Sequence, residues 1–430
     1  MAQTIKAFLG LLCLFAAAGP AWALENLPEV HGFVEAAYGP RFGDSRTQHG
    51  AYNLLEQRLQ LRTSYYPAFP SLLEDWYTEI QYKGDLLADW YGEAVRYQTR
   101  ELFVSTTPLS FLDAKIGRQT LTWGTGDLVF INDLFPKDYV SFFIGRDDEY
   151  LKVPSDAAKL TYTSPWGPAL DAVVIPFFEP DSPIQGDRIS FFDTSLDRLS
   201  GTLSDRQLDE PERQIENSEL AARLYGTVKG SEWALYGFRG FYKQPMGVVR
   251  DEERTFFYPR LNVYGASVRG NVPGVGGIGN LEFGYYDSPE SRGGKDPSVT
   301  PSSLRYLAGI SRDLKYDVKF GMQYYAEQLA NFGAYQRNNA ASPFHSRQFR
   351  QRLTWRVSKS FRLETLHVSL FTFYGIDEQD VHLRPRVSWD INDQWEATLG
   401  GNWFYGNNDD TEFGQLEDNQ NLYVRVRLNF

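Results

Sequence analysis

The ten residues Asn421–Phe430 (NLYVRVRLNF) alternate strictly between apolar and polar side chains. The apolar set is Leu422, Val424, Val426, Leu428 and Phe430, and the other set is Asn421, Tyr423, Arg425, Arg427 and Asn429. A two-residue period is that of a β-strand with one face in apolar surroundings and the other in hydrated surroundings. The segment therefore predicts a half-buried strand at the end of the chain.

The same period recurs in segments that lie far apart in the chain. Leu55–Tyr65, Phe349–Val357 and Val381–Trp389 each set large apolar residues against a row that includes arginine. In a soluble β-sandwich the polar row would face solvent and the apolar row the core. In a membrane barrel the polar row would face a water-filled lumen and the apolar row would face lipid.

The first 23 residues favour the membrane barrel because they have the pattern of a secretory signal peptide. Lys6 precedes an apolar core from Ala7 to Ala18, and the small-residue pair Ala21 and Ala23 marks a cleavage site. The apolar core is too short to span a bilayer. We therefore expect residues 1–23 to be removed and residues 24–430 to form a single domain.

The composition excludes several kinds of site. The only cysteine, Cys13, lies in the predicted signal peptide, so disulfides and thiolate chemistry are not expected. A net charge of −12 and the lack of a recognisable module argue against nucleic-acid binding. No group of residues has the spacing of a metal site, and no cofactor is expected. Aromatic residues make up 15% of the chain, as suits a barrel with aromatic girdles.

The connections between the alternating segments form two sets, which predict the topology. Short turns such as TSPWGP (163–168) and WDINDQ (389–394) alternate with mostly longer polar connections. Outer-membrane barrels have short periplasmic turns and long extracellular loops. We predict an all-β fold, a transmembrane antiparallel up-and-down β-barrel of about eighteen strands. The two longest extracellular loops are expected at 121–155 and 179–213, and both are acidic.

The terminal strand ending in Phe430 resembles the C-terminal signature of Gram-negative outer-membrane barrels, which their assembly machinery recognises. The resemblance implies that Phe430 is an assembly signal and that the protein resides in the outer membrane. Outer-membrane lipid and the assembly machinery are then its expected partners, while a periplasmic partner and a homotrimer both remain open.

Arginines on the polar rows are expected to face the lumen, because an arginine at the middle of the lipid-facing surface costs roughly 2–4 kcal/mol. The predicted lumen arginines are Arg58, Arg62, Arg96, Arg100, Arg350, Arg352, Arg356, Arg384, Arg386, Arg425 and Arg427. Closure of the last strand on the first would gather them into a basic wall on one side of the pore. The alternative is that they pair with carboxylates such as Glu56, Glu101 and Glu364 and only fill the interior.

The third extracellular loop, Leu121–Ser155, combines acidic residues with a long apolar stretch. Its acidic residues are Asp127, Asp133, Asp138, Asp147, Asp148 and Glu149. At this position the chain resembles the porin superfamily, in which the third loop folds into the barrel and narrows it opposite arginines. The resemblance implies a constriction with a transverse field, whereas the alternative is a lid or plug at the mouth.

A second, local resemblance covers Ile116–Trp166. The string GRQxxxWG at Gly117–Gly124, followed by Pro136 and Asp138, is similar to an outer-membrane family of undefined function. Where relatives tend to have Asn-Pro, this chain has Phe135-Pro136. The likeness supports the barrel and implies no substrate.

These observations favour a porin-like channel for small hydrophilic solutes, anionic or zwitterionic. The alternative is a scaffold or export barrel that works with a transporter component, an acidic polymer or an electron-transfer protein. An enzyme is not expected: His367 and Ser369 share a strand face, but the sequence offers no third catalytic member.

Overall fold

The computed structural model describes residues 28–42, 45–48, 50–67, 76–194, 196–204, 206–248, 255–296, 298–338 and 347–430. The predicted signal peptide, residues 1–23, lies outside this range. No helix in the described ranges is long and apolar enough to cross a membrane.

Eighteen strands form one sheet, and we number them in chain order. They are β1 Val30–Pro40, β2 Tyr52–Tyr65, β3 Tyr77–Asp89, β4 Ala94–Leu109, β5 Leu112–Gln119, β6 Ser155–Thr163, β7 Ala169–Ile175, β8 Glu219–Val228, β9 Ser231–Phe241, β10 Arg260–Val272, β11 Gly277–Asp287, β12 Ser303–Asp313, β13 Val318–Leu329, β14 Phe349–Phe361, β15 Leu366–Gly375, β16 Asp380–Asp390, β17 Trp395–Tyr405 and β18 Asn421–Asn429.

Every strand pairs antiparallel with its neighbours in the chain, and the last strand closes on the first. Phe33 lies opposite Asn429 and Tyr38 opposite Val424 in the register of β1 with β18. The backbones of Gly32 and Phe430 exchange two hydrogen bonds, of 2.9 and 3.0 Å, at the end of that seam. The prediction of an up-and-down barrel of about eighteen strands is confirmed. Closure leaves no free edge at this seam, as a lipid environment requires.

The two faces of the wall have the chemistry that the alternation predicts. On β18, Val424 is 44% exposed on the outer face, whereas Arg425 is 3% exposed inside. Leu399 of β17 and Leu281 of β11 are likewise exposed on the outside. A closed barrel with an apolar outer face spans a membrane, because its backbone groups are satisfied within the sheet.

Short elements lie within the connections. The helices are α1 Tyr139–Ile144 and α2 Phe332–Asn338, with 3₁₀ turns at Asp148–Leu151, Ile215–Asn217, Lys315–Asp317 and Gly414–Asn419. Short loop strands lie at Phe191–Asp193, Arg198–Ser200, Gln207–Asp209, Gly247–Val248 and Thr255–Phe257. We call residues 120–154 loop 3 and residues 176–218 loop 4.

Candidate functional site: loop 3 inside the barrel

Loop 3 turns inward from the end of β5 and crosses to the opposite wall. The buried Gln119 side chain donates to the Ala157 carbonyl at 3.0 Å and fixes the point of departure. On the far wall, Glu282 of β11 accepts from the Gly126 N–H at 2.8 Å, and Gln323 of β13 accepts from the Asp127 N–H at 2.7 Å. The loop therefore runs through the lumen between these two walls.

The apolar residues of loop 3 are buried against the wall. Trp123 packs edge-on against Phe135, with ring centroids 5.1 Å apart, and both side chains are at most 8% exposed. Phe143 of α1 packs against His382 and Phe404 at 5.6 Å. This burial explains why an extracellular connection carries so many apolar residues, since apolar area removed from water stabilises by roughly 25 cal/mol per Å².

Asp147 of loop 3 lies in a cluster of arginines on β16 and β18. Its carboxylate is 2.9 Å from Nη1 of Arg425, 3.5 Å from Nη2 of Arg386 and 3.7 Å from Nη2 of Arg427. Glu35 of β1 completes the cluster at 2.8 Å from Arg427. The neighbouring Asp148 accepts from Arg384 at 2.8 Å. Four predicted lumen arginines therefore hold two predicted loop carboxylates.

The arginines control the charge state of these loop acids. Burial alone would raise the pKa of Asp147, but the attraction of Arg425, Arg386 and Arg427 outweighs burial and holds it well below its usual range. Arg384 likewise outweighs burial and lowers the pKa of Asp148. Both carboxylates are therefore anions throughout the physiological pH range.

Loop 4 enters the same region and joins loop 3 in a second ionic cluster. Glu56 of β2 accepts from Arg146 of loop 3 at 2.9 Å and from Arg188 of loop 4 at 3.1 Å. Arg58 lies beside this cluster and binds Asp85 of β3 at 2.6 Å. All of these carboxylates are at most 4% exposed. The cluster therefore ties two loops to the wall at one place.

Two hydrogen bonds that involve the backbone of Lys137 join loop 3 to loop 4, next to the buried carboxylate of Asp181. Asp181 of loop 4 accepts from the Lys137 N–H at 2.7 Å, and the Ser182 N–H donates to the Lys137 carbonyl at 2.8 Å. Burial raises the pKa of Asp181 to about 6, because the attraction of Lys137 and Lys243 does not compensate for lost hydration.

Tyr150, near the C-terminal end of loop 3, packs between two predicted lumen arginines. Its ring centroid is 3.8 Å from the guanidinium carbon of Arg58 and 5.0 Å from that of Arg100. Arg100 also donates to the backbone carbonyl of Lys152 at 2.9 Å. Lys83 of β3 binds Glu149 at 2.9 Å and adds a cation that the alternation did not single out.

The other predicted residues have varied surroundings. Arg356 binds Asp127 of loop 3, Arg350 binds Glu378 and Arg352 binds Glu412. Arg62 and Arg96 are exposed and make no ion pair or hydrogen bond within the described part of the chain. Asp133 instead binds Lys137 at 3.0 Å, and Asp138 caps α1 by accepting from the Ser141 N–H at 2.8 Å. These two acids therefore stabilise the fold of the loop itself.

A further cationic group, which the sequence reasoning missed, lines the opposite wall. Lys115 of β5 lies directly across from Lys159 of β6 in the strand register. Lys159 and Arg223 of β8 share one buried carboxylate, Asp171, at 3.4 and 2.7 Å. Like charges directly opposite each other on a sheet are unfavourable. The sequence does contain one signal for this cationic group: the charged residues Asp113 and Lys115 occupy alternate positions of the short strand β5.

A cavity of about 290 Å³ lies beside the Asp147 cluster, on the periplasmic side of loop 3. Its lining residues are His367, Ser369, Arg386, Ser388, Asp390 and Glu396. His367 is 3.5 Å from Asp390 and 3.0 Å from the Ser360 hydroxyl, so an acid that the sequence did not reveal stands beside the histidine. The backbone N–H groups of these strands are engaged in the sheet, so they cannot stabilise an oxyanion.

Comparison with known proteins links this architecture to solved structures. No protein-family model matches the chain, so the local resemblance of Gly117–Asp138 gains no support, and no curated protein matches its sequence. The crystal structure of Pseudomonas aeruginosa OccD3 (OpdP) matches with a TM-score of 0.55 at 12% identity, covering 96% of this chain and 93% of that one.

Two solved structures from Acinetobacter baumannii are similar to the same extent. OccAB3 matches with a TM-score of 0.55 at 9% identity, covering 94% of this chain and 99% of that one. OccAB1 matches with a TM-score of 0.53 at 10% identity, covering 94% and 96%. At such identities the likeness concerns the fold. The predicted porin-like outer-membrane β-barrel is thus confirmed as the fold of this chain.

Proposed function

We propose that the protein is a channel in the outer membrane of a Gram-negative bacterium, through which small hydrophilic solutes pass. The observation that carries this proposal is the path of loop 3, which crosses the lumen and is held there by charged residues of the wall. Such a loop narrows a pore and sets fixed charges beside the remaining path.

We further propose that anionic and zwitterionic solutes are favoured. Although most predicted arginines are paired, cations outnumber carboxylates at several solvent-accessible places in the lumen. Arg62 is exposed and unpaired among the described residues, and Lys159 and Arg223 have only Asp171 between them. Lys152, whose side chain is 33% exposed, shares the buried carboxylate of Asp133 with the buried Lys137. Excess positive charge raises the local concentration of anions.

Conductance in a planar bilayer tests the proposal. Purified protein should insert with discrete current steps, and its reversal potential in a salt gradient should show preference for the anion. The Arg62→Gln variant should weaken that preference, whereas Arg312→Gln, which lies on the outer face of β12, should not change it. A correctly folded barrel without current steps would contradict the channel, and cation preference would contradict only the proposed solute class.

A further inference from the structure

Two arginines stand on the outer face of the barrel near its extracellular end. On β9, the alternate residues Tyr236 and Phe238 are buried in the lumen, so Arg239 points outward with Leu235, which is 51% exposed. Arg260 at the start of β10 lies on the same outer face, because it is paired with Phe241 in the register. Arg239 is paired with Asn262, so the two arginines are diagonal neighbours, with Cβ atoms roughly 7–8 Å apart.

Neither guanidinium has a carboxylate partner among the described residues. Arg239 is exposed and makes no hydrogen bond or ion pair within them. The Arg260 guanidinium donates to the Asn217 amide oxygen at 2.9 Å and stacks 4.7 Å from the ring centroid of Phe241. Within the described part of the chain, the two cations therefore lie side by side without a neutralising carboxylate, an arrangement that suits the binding of an external anion.

Two acids near this pair, among the residues that the structure describes, already accept hydrogen bonds from other groups. Asp287 accepts two hydrogen bonds of 2.7 Å from Arg292 and one of 3.1 Å from Asn262. Glu290 accepts from the backbone N–H of Arg260 at 3.3 Å and is exposed. Asp287 and Glu290 therefore do not bind the guanidinium groups of Arg239 and Arg260.

The height of Arg239 places it at the boundary of the membrane. It lies eight residues beyond Ser231, which follows a periplasmic turn; at about 3.3 Å per residue and a tilt of roughly 40°, it is about 20 Å above that turn. The apolar band of such barrels is about 25 Å tall. Exposed apolar side chains of Leu235, Tyr264 and Leu281 lie on the same outer surface. The Arg239 backbone therefore lies about 5 Å below the top of this band, and its long side chain extends to the level of the lipid head groups.

We propose that Arg239 and Arg260 bind a phosphate of the phosphorylated glycolipid that forms the outer leaflet of this membrane. Arginine suits this partner because its planar guanidinium donates two parallel hydrogen bonds to a phosphate. The acyl chains of the same lipid would cover the apolar surface below. The site depends on the orientation of the barrel and not on conductance, so failure of the proposed channel would leave it intact.

Lipid titration followed by native mass spectrometry tests this site. The whole barrel, purified in detergent, is titrated with bisphosphorylated lipid A, with dephosphorylated lipid A and with inorganic phosphate as competitor. The Arg239→Gln/Arg260→Gln variant should bind bisphosphorylated lipid A about tenfold more weakly than the parent, a loss of about 1.4 kcal/mol, since the charge-assisted bonds to the phosphate are removed. Dephosphorylated lipid A should bind both proteins equally, and inorganic phosphate should compete only weakly.

The control is Arg269→Gln, which removes a cation from the lumen face of the same strand β10. This variant should retain the affinity of the parent, and a shift of gel mobility on heating should verify that every barrel is folded. Equal lipid A affinity in the parent and the double variant would overturn the proposal. So would equal binding of the phosphorylated and dephosphorylated lipids by the parent, while full displacement by inorganic phosphate would reassign the site to free anions.

Discussion

Arg356 of β14 and Asp127 of loop 3 form a two-point ion pair in the lumen, with Nε–Oδ2 and Nη2–Oδ1 distances of 2.7 and 2.9 Å. The side chains are 33% and 48% exposed, so the pair lies in water and contributes little to stability. Its importance is electrostatic, because removal of either partner leaves one fixed charge beside the path of a solute.

Substitutions in this pair should shift ion selectivity in opposite directions. Asp127→Asn exposes the Arg356 cation and should increase anion preference, whereas Arg356→Gln exposes the carboxylate and should decrease it. A unit charge in water is worth about 1 kcal/mol at contact distance, which corresponds to about a fivefold change in permeability ratio. Reversal potentials measure the change. The double variant should return close to the parent, and equal shifts in all three variants would contradict this account.

Asp147 should be essential for the docking of loop 3. Asp147→Asn leaves Arg425, which is 3% exposed, without its nearest loop carboxylate. Breaking a buried ion pair on one side costs about 3 kcal/mol or more. Hydrogen exchange of residues 139–152 should therefore accelerate strongly while the strands stay protected. Asp148→Asn is the matched control: its side chain is 39% exposed, so the loss should be about 1 kcal/mol or less.

The alternation of apolar and polar residues was enough to predict the strands of the barrel wall, but it could not predict shifts in the register between them. The regular period places Arg96 and Arg100 on the lumen face, and the pairing of β3 with β4 agrees up to Gln98. Between Lys83 and Gly84 the register then shifts, so Arg100 is the unpaired residue of a bulge and Glu101 takes the next inward position. A bulge inserts one residue and reverses the parity of everything that follows. No residue pattern in β4 indicates the position of this bulge.

The direction of loop 3 could be expected only from the resemblance to porins. The sequence shows that Phe135 and Phe143 are apolar, which excludes free exposure to water but fits a plug, a lid or a constriction equally. The partners that settle the direction, Glu282 and Gln323, lie more than 150 residues away in the chain. Such contacts depend on closure of the barrel and have no short-range signal.

The contact between loops 3 and 4 should loosen as pH rises. The folded pKa of Asp181, about 6, lies above its unfolded value, so its contribution is fully present below the unfolded pKa and is lost as pH rises through about 6. A shift of this size corresponds to about 2–3 kcal/mol. Hydrogen exchange near Lys137 and Ser182, corrected for the intrinsic rate, should show more protection at pH 5 than at pH 7.5.

Asp181→Asn supplies the control for this pH effect. The amide oxygen can still accept from the Lys137 N–H, but the side chain no longer ionises. Protection in the variant should be independent of pH between 5 and 7.5 and should resemble that of the parent at the lower pH. An unchanged pH dependence in the variant would assign the effect to another group.

Gly145, which ends helix α1, should not tolerate a side chain. Its φ of 92° lies in the left-handed region, and a Cβ there would lie 2.2 Å from Cδ1 of Tyr423 on β18. Gly145→Ala therefore adds a clash, which costs about 1–3 kcal/mol, to backbone strain of about 1–2 kcal/mol. Gly167 in a periplasmic turn also has a positive φ, of 106°, but a Cβ there meets nothing within 4 Å. Gly167→Ala should therefore show only the cost of backbone strain. Hydrogen exchange should report opening of α1 in Gly145→Ala but not in Gly167→Ala. If both variants left α1 equally protected, the tight packing of this turn against β18 would be refuted.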